Sequence, residues 1–184
     1  MSEPVQAYIL CTTPRSGSTL LCGLLKATGV AGDPDSHFHQ PSLSAWMRSY
    51  DLVTGDFATE EDMLKAILER AVARGKGSTE VFGLRLQRDS FAFFMDALKM
   101  LFPSETSDRE RLTAAFGRVK FLHLEREDKV DQAVSRAIAE DTGLWHRNAD
   151  GSERERVSPP SAAQYDEAKI AQLVERATCQ NAEW

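Results

Sequence analysis

Residues 8–20, Tyr-Ile-Leu-Cys-Thr-Thr-Pro-Arg-Ser-Gly-Ser-Thr-Leu, constrain this chain more than any other segment. Residues 8–11 are apolar and suit a short buried strand. Residues 12–18 are small, polar or turn-forming, with Pro14 and Gly17 as breakers. From Thr19 onward Leu20, Leu21, Leu24 and Leu25 recur at helical spacing. The reading is strand, tight loop, helix. A loop that opens a helix presents backbone N–H groups and the positive end of the helix dipole, which together attract anions. Arg15, Ser16, Ser18 and Thr19 add side-chain donors, and the planar fork of Arg15 suits phosphate or sulfate oxygens. The loop is not a Walker A motif, because a single glycine stands between two serines and an arginine precedes it where a lysine would follow. An ordinary turn carrying an exposed arginine is the plain alternative.

Composition limits what such a loop serves. With 184 residues, 42% apolar and 27% charged, the chain has enough material for one core and reads as globular and soluble. A net charge of -6 argues against a nucleic-acid surface while leaving room for a local basic pocket. Cys11, Cys22 and Cys179 make neither a disulfide framework nor a zinc spacing. Cys11 and Cys22 are expected as buried small apolar residues in a reducing cytoplasm. No charged start leads into a long apolar run, so no signal peptide is expected. No run reaches ~18 apolar residues, so no transmembrane segment is expected.

Along the chain, the first helix is expected over 18–27, closed by Thr28 and Gly29, and Val30 and Ala31 suggest a short strand. Residues 32–41 carry two prolines, two histidines and two carboxylates and read as an irregular loop beside the anion site, a setting suited to acceptor chemistry. A short helix is expected over 42–50, and another helix from Thr59, a capping residue, to about residue 73, followed by a turn at 74–78. Strands are expected at 80–86 and 119–124. Between them lie a helix capped by Asp89 and a polar helix over 107–116. A helix from 128 to 141, a charged loop over 148–161 and a final helix over 165–182 complete the order.

The segment Pro-Arg-Ser-Gly-Ser-Thr-Leu after an N-terminal strand resembles the 5′-phosphosulfate loop of sulfotransferases that use 3′-phosphoadenosine 5′-phosphosulfate (PAPS). The run on through Ala-Thr-Gly-Val-Ala-Gly-Asp-Pro is similar to a segment of the bacterial carbohydrate family that sulfates trehalose, glycolipids or lipopolysaccharide sugars. The resemblance extends to a second motif. Arg126 at the end of a strand, with Ser135 nine residues on in Gln132-Ala-Val-Ser, resembles the 3′-phosphate motif. In the neighbours of Arg126 the chain departs from the family, with Glu125 for His and Glu127 for Pro.

The resemblance implies that Pro14, Arg15, Ser16, Gly17, Ser18 and Thr19 hold the 5′-phosphosulfate and that Arg126 and Ser135 hold the 3′-phosphate. Arg15 then stabilises the leaving charge, and no metal is needed. A base must take the acceptor proton. The family places a Glu where this chain has Ser36, so Asp35, His37 and His39 are the substitutes, with Asp35 and His37 carried forward. Asp33 matches an acidic family position that contacts the sugar, Arg85 stands for a family Lys, and Trp145 matches a family aromatic. Each has a plain structural alternative: a turn-stabilising Asp, a loop histidine, an edge-strand arginine, a core tryptophan. A homodimer is also implied, as is a family C-terminal part that lies beyond Trp184.

Strands separated by helices, with both anion motifs at strand C-termini, give an α/β fold with a mainly parallel central sheet flanked by helices. The expected form is a P-loop-like three-layer sandwich in a single sulfotransferase-like domain over 1–184. The expected function is sulfuryl transfer from PAPS to a carbohydrate or glycolipid hydroxyl. Two alternatives stand beside it: a catalytically degenerate nucleotide-binding module of the same fold, for which Ser36 speaks, and a P-loop nucleoside kinase, which would want a loop lysine.

Overall fold

Residues 6–148 and 150–184 are described by a computed structural model; what was expected of the first five residues and of Ala149 falls outside them. In chain order the elements are β1 (Ala7–Thr12), α1 (Ser18–Ala27), α2 (Leu43–Ser49), a 3-10 turn (Thr54–Asp56), α3 (Glu60–Lys76), β2 (Phe82–Gln87), α4 (Arg88–Leu101), α5 (Asp108–Phe116), β3 (Val119–Leu124), α6 (Lys129–Thr142), β4 (Leu144–Arg147), β5 (Glu153–Arg156) and α7 (Glu167–Ala182). They fall into two compact units. The first holds the chain up to Thr12 with Gly17–Leu124, and the second holds Thr13–Ser16 with Glu125–Trp184.

The first unit is built on a parallel sheet in the order β2-β1-β3. All six residues of β1 are buried, as its unbroken apolar run requires of a central parallel strand. Because side chains alternate across a strand, each face of the sheet has its own cover. On the Tyr8–Leu10 face, Leu21, Cys22 and Leu25 of α1 pack together with Ala31 and Val81. Gly83 lies opposite Tyr8 in the β1–β2 register, where a Cβ would stand 2.6 Å from the Tyr8 hydroxyl. That hydroxyl donates to the Ala31 carbonyl at 2.7 Å, and burial raises its pKa. On the other face, Phe82 meets Phe116 of α5 at 4.8 Å. Phe94 of α4 stacks on Phe38 at 4.5 Å, and Trp46 of α2 sits edge-on to Phe38. Helices therefore flank the parallel sheet on both faces, as expected of this α/β pattern.

Local signals set most helix ends. Ser42 caps α2, Thr59 caps α3, and Ser107 with Glu110 forms a full capping box at α5. Three expectations are corrected. Residues 30–31 form no strand. Asp89 is not a cap: α4 begins at Arg88 after an uncapped Gln87, and Asp89 sits in its first turn, where its charge still suits the dipole. The expected turn at 74–78 is instead the end of α3, which runs to Lys76 and closes at Gly77 with φ 57°. Gly75 lies inside that helix because the Phe82 ring packs against it, where a Cβ would come within 2.4 Å.

In the second unit, α6 and α7 pack through Ala133, Ala137 and Leu173, with Ile170 and Val174 beside them. Asp128 caps α6, and Gly143 at φ 68° ends it. Lys169 ties α7 to the end of α6 through Asp141 at 2.7 Å and Glu140 at 3.3 Å. Residues 144–147 and 153–156 form an antiparallel hairpin where no strands were expected. Glu153-Arg-Glu-Arg carries charge at every position, so apolar alternation had nothing to report. Among the described residues, no helix is long and apolar enough to cross a membrane.

Candidate functional site

The loop after β1 takes its shape from two left-handed residues, Arg15 at φ 65° and Gly17 at φ 89°. Gly17 is the N-cap of α1, and no side chain caps that helix start. A Cβ at position 17 would meet nothing within 4 Å, so backbone conformation, not space, requires the glycine. Arg15 holds the left-handed conformation at a cost of about 1–2 kcal/mol, a strain of the kind that clusters at ligand-holding sites. Alternating left-handed turns form backbone concavities that hold anions.

In the second unit, Arg15 is the centre of a basic cluster. Its Nε donates to Ser135 Oγ at 2.9 Å. Its Nη1 donates to the backbone carbonyl of Trp145, which is how that residue enters the site. Both acceptors are neutral. Burial lowers the pKa of the guanidinium from its ordinary value, the charge of Arg126 lowers it further, and Glu155 opposes them. Arginine stays protonated through such shifts. Two like charges, one of them half-buried, therefore lie close enough to act on each other, a setting that suits an added anion. Ser16 adds a buried Oγ with no hydrogen-bond partner among the described residues. An orphaned buried hydroxyl in an anion loop fits a phosphate or sulfate oxygen.

Arg126 follows β3 and pairs with Asp131 at 3.1 Å through Nη2. The two side chains are 36% and 66% exposed, so a stronger anion can displace this pairing readily. The unexpected Glu125 is held by Lys129 at 2.6 Å. Lys129 also donates to the Arg126 carbonyl. A carboxylate that departs from the family's pattern thus has its own cation, and its field on Arg126 is offset.

One residue of this cluster was missed as a site residue. Gln132, 2% exposed, donates from Nε2 to Thr13 Oγ1 at 2.9 Å and to the Pro14 carbonyl at 2.7 Å. The only signal for it was its place in the Gln132-Ala-Val-Ser run.

The first unit carries the remaining candidates around Arg85, whose side chain is 12% exposed. Its Nη1 donates to Thr19 Oγ1 at 2.5 Å, its Nε to Ser36 Oγ at 2.8 Å and its Nη2 to Asp35 Oδ1 at 3.1 Å. The backbone repeats the link: Asp35 bridges to Leu84, and its carbonyl accepts from the Arg85 amide at 2.9 Å. Arg85 is thus the hub joining the first turn of α1 to the loop over 32–41. The Asp35 side chain stays 61% exposed.

Asp33 is engaged by Lys26 at 2.5 Å. His37 lies 6% exposed, with Nε2 3.1 Å from the Asp33 carbonyl and its ring against Phe82. Burial lowers its pKa, outweighing Asp33 and Asp35, so it is neutral at pH 7. Ser18 is buried at the start of α1. Among the described residues, no group of three His, Cys, Asp or Glu is placed to hold a metal ion.

Residues 7–184 match the family model described as Stf0 sulphotransferase. The chain is 29% identical to a trehalose 2-sulfotransferase from Mycobacterium tuberculosis strain Erdman, over all of this chain and 73% of that protein. It is 28% identical to a trehalose 2-sulfotransferase from Mycolicibacterium smegmatis, with the same coverage.

Proposed function

Since the chain belongs to the Stf0 sulphotransferase family, we propose that it moves a sulfuryl group from PAPS to a hydroxyl of a carbohydrate or glycolipid. The observation that carries this is the half-buried Arg15 guanidinium, bonded to neutral acceptors beside Arg126 and next in sequence to the orphaned Ser16 hydroxyl. The names of the two trehalose 2-sulfotransferases support a sugar acceptor.

A bound donor supplies the sulfuryl group and departs as adenosine 3′,5′-bisphosphate. Residues 14–19 hold its 5′ end, where Arg15, Ser16, Ser18, Thr19 and the backbone amides meet the charge on the departing oxygen. Fixed donors of this kind reduce the barrier because they need no reorganisation during transfer. Arg126 and Ser135 hold the 3′-phosphate by charge-assisted hydrogen bonds and so orient the donor. Asp35 takes the acceptor proton. Its exposure leaves it open to a sugar hydroxyl, whereas the buried, carbonyl-bonded His37 serves better as support for the loop. Arg85 fixes Asp35 Oδ1, and Asp33, Ser36 and Trp145 contribute to acceptor binding.

The proposal places this chemistry in one P-loop-like three-layer sulfotransferase domain, acting in the cytoplasm as a homodimer. Light scattering tests the last point.

Calorimetry with adenosine 3′,5′-bisphosphate and AMP tests the donor site, since the two differ only by the 3′-phosphate. A charged hydrogen bond contributes about 1.5–3 kcal/mol, so a preference of roughly 10- to 150-fold for the bisphosphate is expected. Equal affinities would overturn the assignment. A labelled-sulfate screen over trehalose, glycolipids and lipopolysaccharide fragments then identifies the acceptor. The engagement of Ser36 by Arg85 favours a second reading, a nucleotide-binding module without catalysis. Binding of the bisphosphate without transfer to any sugar in the screen would select it.

A further inference from the structure

We propose that Gln132 is a positioning residue that clamps the anion loop to α6 and thereby sets the 5′ subsite. Two hydrogen bonds from one buried amide nitrogen reach Thr13 Oγ1 and the Pro14 carbonyl, 119 and 118 residues away in sequence. The Pro14 carbonyl can only accept, which fixes the amide orientation with nitrogen toward the loop. Proline has no N–H, so its carbonyl is the one main-chain group through which the loop can be held at this point. The clamp closes immediately before Arg15, the strained left-handed residue. Ser135, the partner of Arg15 Nε, lies one turn further along the same helix. One helical turn thus fixes both the backbone that precedes Arg15 and the direction of its guanidinium. Such strain persists only when the surroundings over-determine it. Gln132 is not a catalytic residue: it acts on the 5′ end through the loop. The functional consequence rests on the proposed donor site, but the clamp itself does not.

The first measurement is hydrogen exchange in the unliganded protein, comparing wild type with Gln132→Met, which keeps length and burial but removes both donors. Loop amides over 12–20 should exchange at least ~10-fold faster, with amides of α6 unchanged. Thr13→Val removes one of the two bonds without touching α6 and should give a smaller acceleration in the same peptide. It also keeps the question decidable if Gln132→Met does not fold. Unchanged loop exchange, or equal acceleration in α6, would overturn the clamp.

The second measurement is the affinity for adenosine 3′,5′-bisphosphate and for adenosine 3′-monophosphate. Gln132→Met should weaken the bisphosphate by about 10-fold and leave the 3′-monophosphate within about 2-fold. A structural role alone predicts equal losses for both. If wild type binds neither nucleotide, the donor-site reading fails and the exchange data still decide the clamp.

Discussion

Arg15 Nε donates to Ser135 Oγ at 2.9 Å, joining a residue of the anion loop to one of α6 across 120 positions of sequence. A spacing motif and a loop motif, read separately in the sequence, are therefore parts of one cluster. Because the partner is a neutral hydroxyl, the bond orients the guanidinium without neutralising it.

The first prediction concerns that guanidinium. Arg15→Ala should lower transfer by ~100-fold or more, as removal of a preorganised donor does elsewhere. Arg15→Lys should recover little, because an ammonium cannot reproduce the fork that reaches both Ser135 and the Trp145 carbonyl. Steady-state kinetics on folded variants decides this, and near-normal turnover of Arg15→Ala would remove the loop from the mechanism.

The second prediction separates a phosphate ligand from a surface ion pair. Arg126→Ala should abolish most of the preference for adenosine 3′,5′-bisphosphate over AMP. Asp131→Asn, which releases Arg126 from its 3.1 Å partner, should strengthen bisphosphate binding by about 2- to 5-fold. An arginine that serves only the exposed pair would lose thermal stability in both variants and show no change in nucleotide preference.

The third prediction assigns the base. Asp35→Asn should reduce kcat by ~100-fold while leaving bisphosphate affinity unchanged. His37→Gln should leave kcat within about 3-fold, since its ring is buried and bonded to the Asp33 carbonyl. The reverse ranking would transfer the role to His37.

The fourth prediction follows from burial of His37, which lowers its folded pKa below the ordinary histidine value. The unfolded chain therefore binds a proton that the folded chain refuses. The resulting stability is present above pH ~6.5 and is lost as pH falls through the unfolded value toward the folded one. Melting temperature should drop between pH 7.5 and 5, and the drop should shrink in His37→Gln. An identical pH dependence in the two proteins would place the titration elsewhere.

The parallel sheet and the strand–loop–helix at Tyr8 were legible because burial and helical spacing write directly into residue order. So was the start of α6 near Asp128, although its role as the cap came only with the structure. The hairpin of β4 and β5 was not legible, since four consecutive charged residues give no face to bury. The course of α3 through Gly75 was hidden for another reason: a glycine reads as a breaker until the ring it accommodates, Phe82, is known. Among candidate site residues, loop donors and Arg126 stood out by chemistry. Gln132 did not, because a buried amide looks the same in sequence whether it fills a core or holds a loop. The difference in exposure between Asp35 and His37, on which the proposed choice of base rests, is something no local pattern encodes.

The backbone bridge from Asp35 to Leu84 sews the loop over 32–41 onto the open edge of β2. The consequence is a division of labour in how such a chain can change. On the proposed mechanism, substitutions at the exposed His39, Gln40 and Pro41, unlike any at the core residue Phe38, can alter what approaches Asp35 without shifting Asp35 itself. Changes at Leu84 or Arg85 would move the carboxylate and the first turn of α1 together. If Asp35 acts as proposed, acceptor range and chemical competence fall under separate stretches of sequence, so the first can drift while the second is kept.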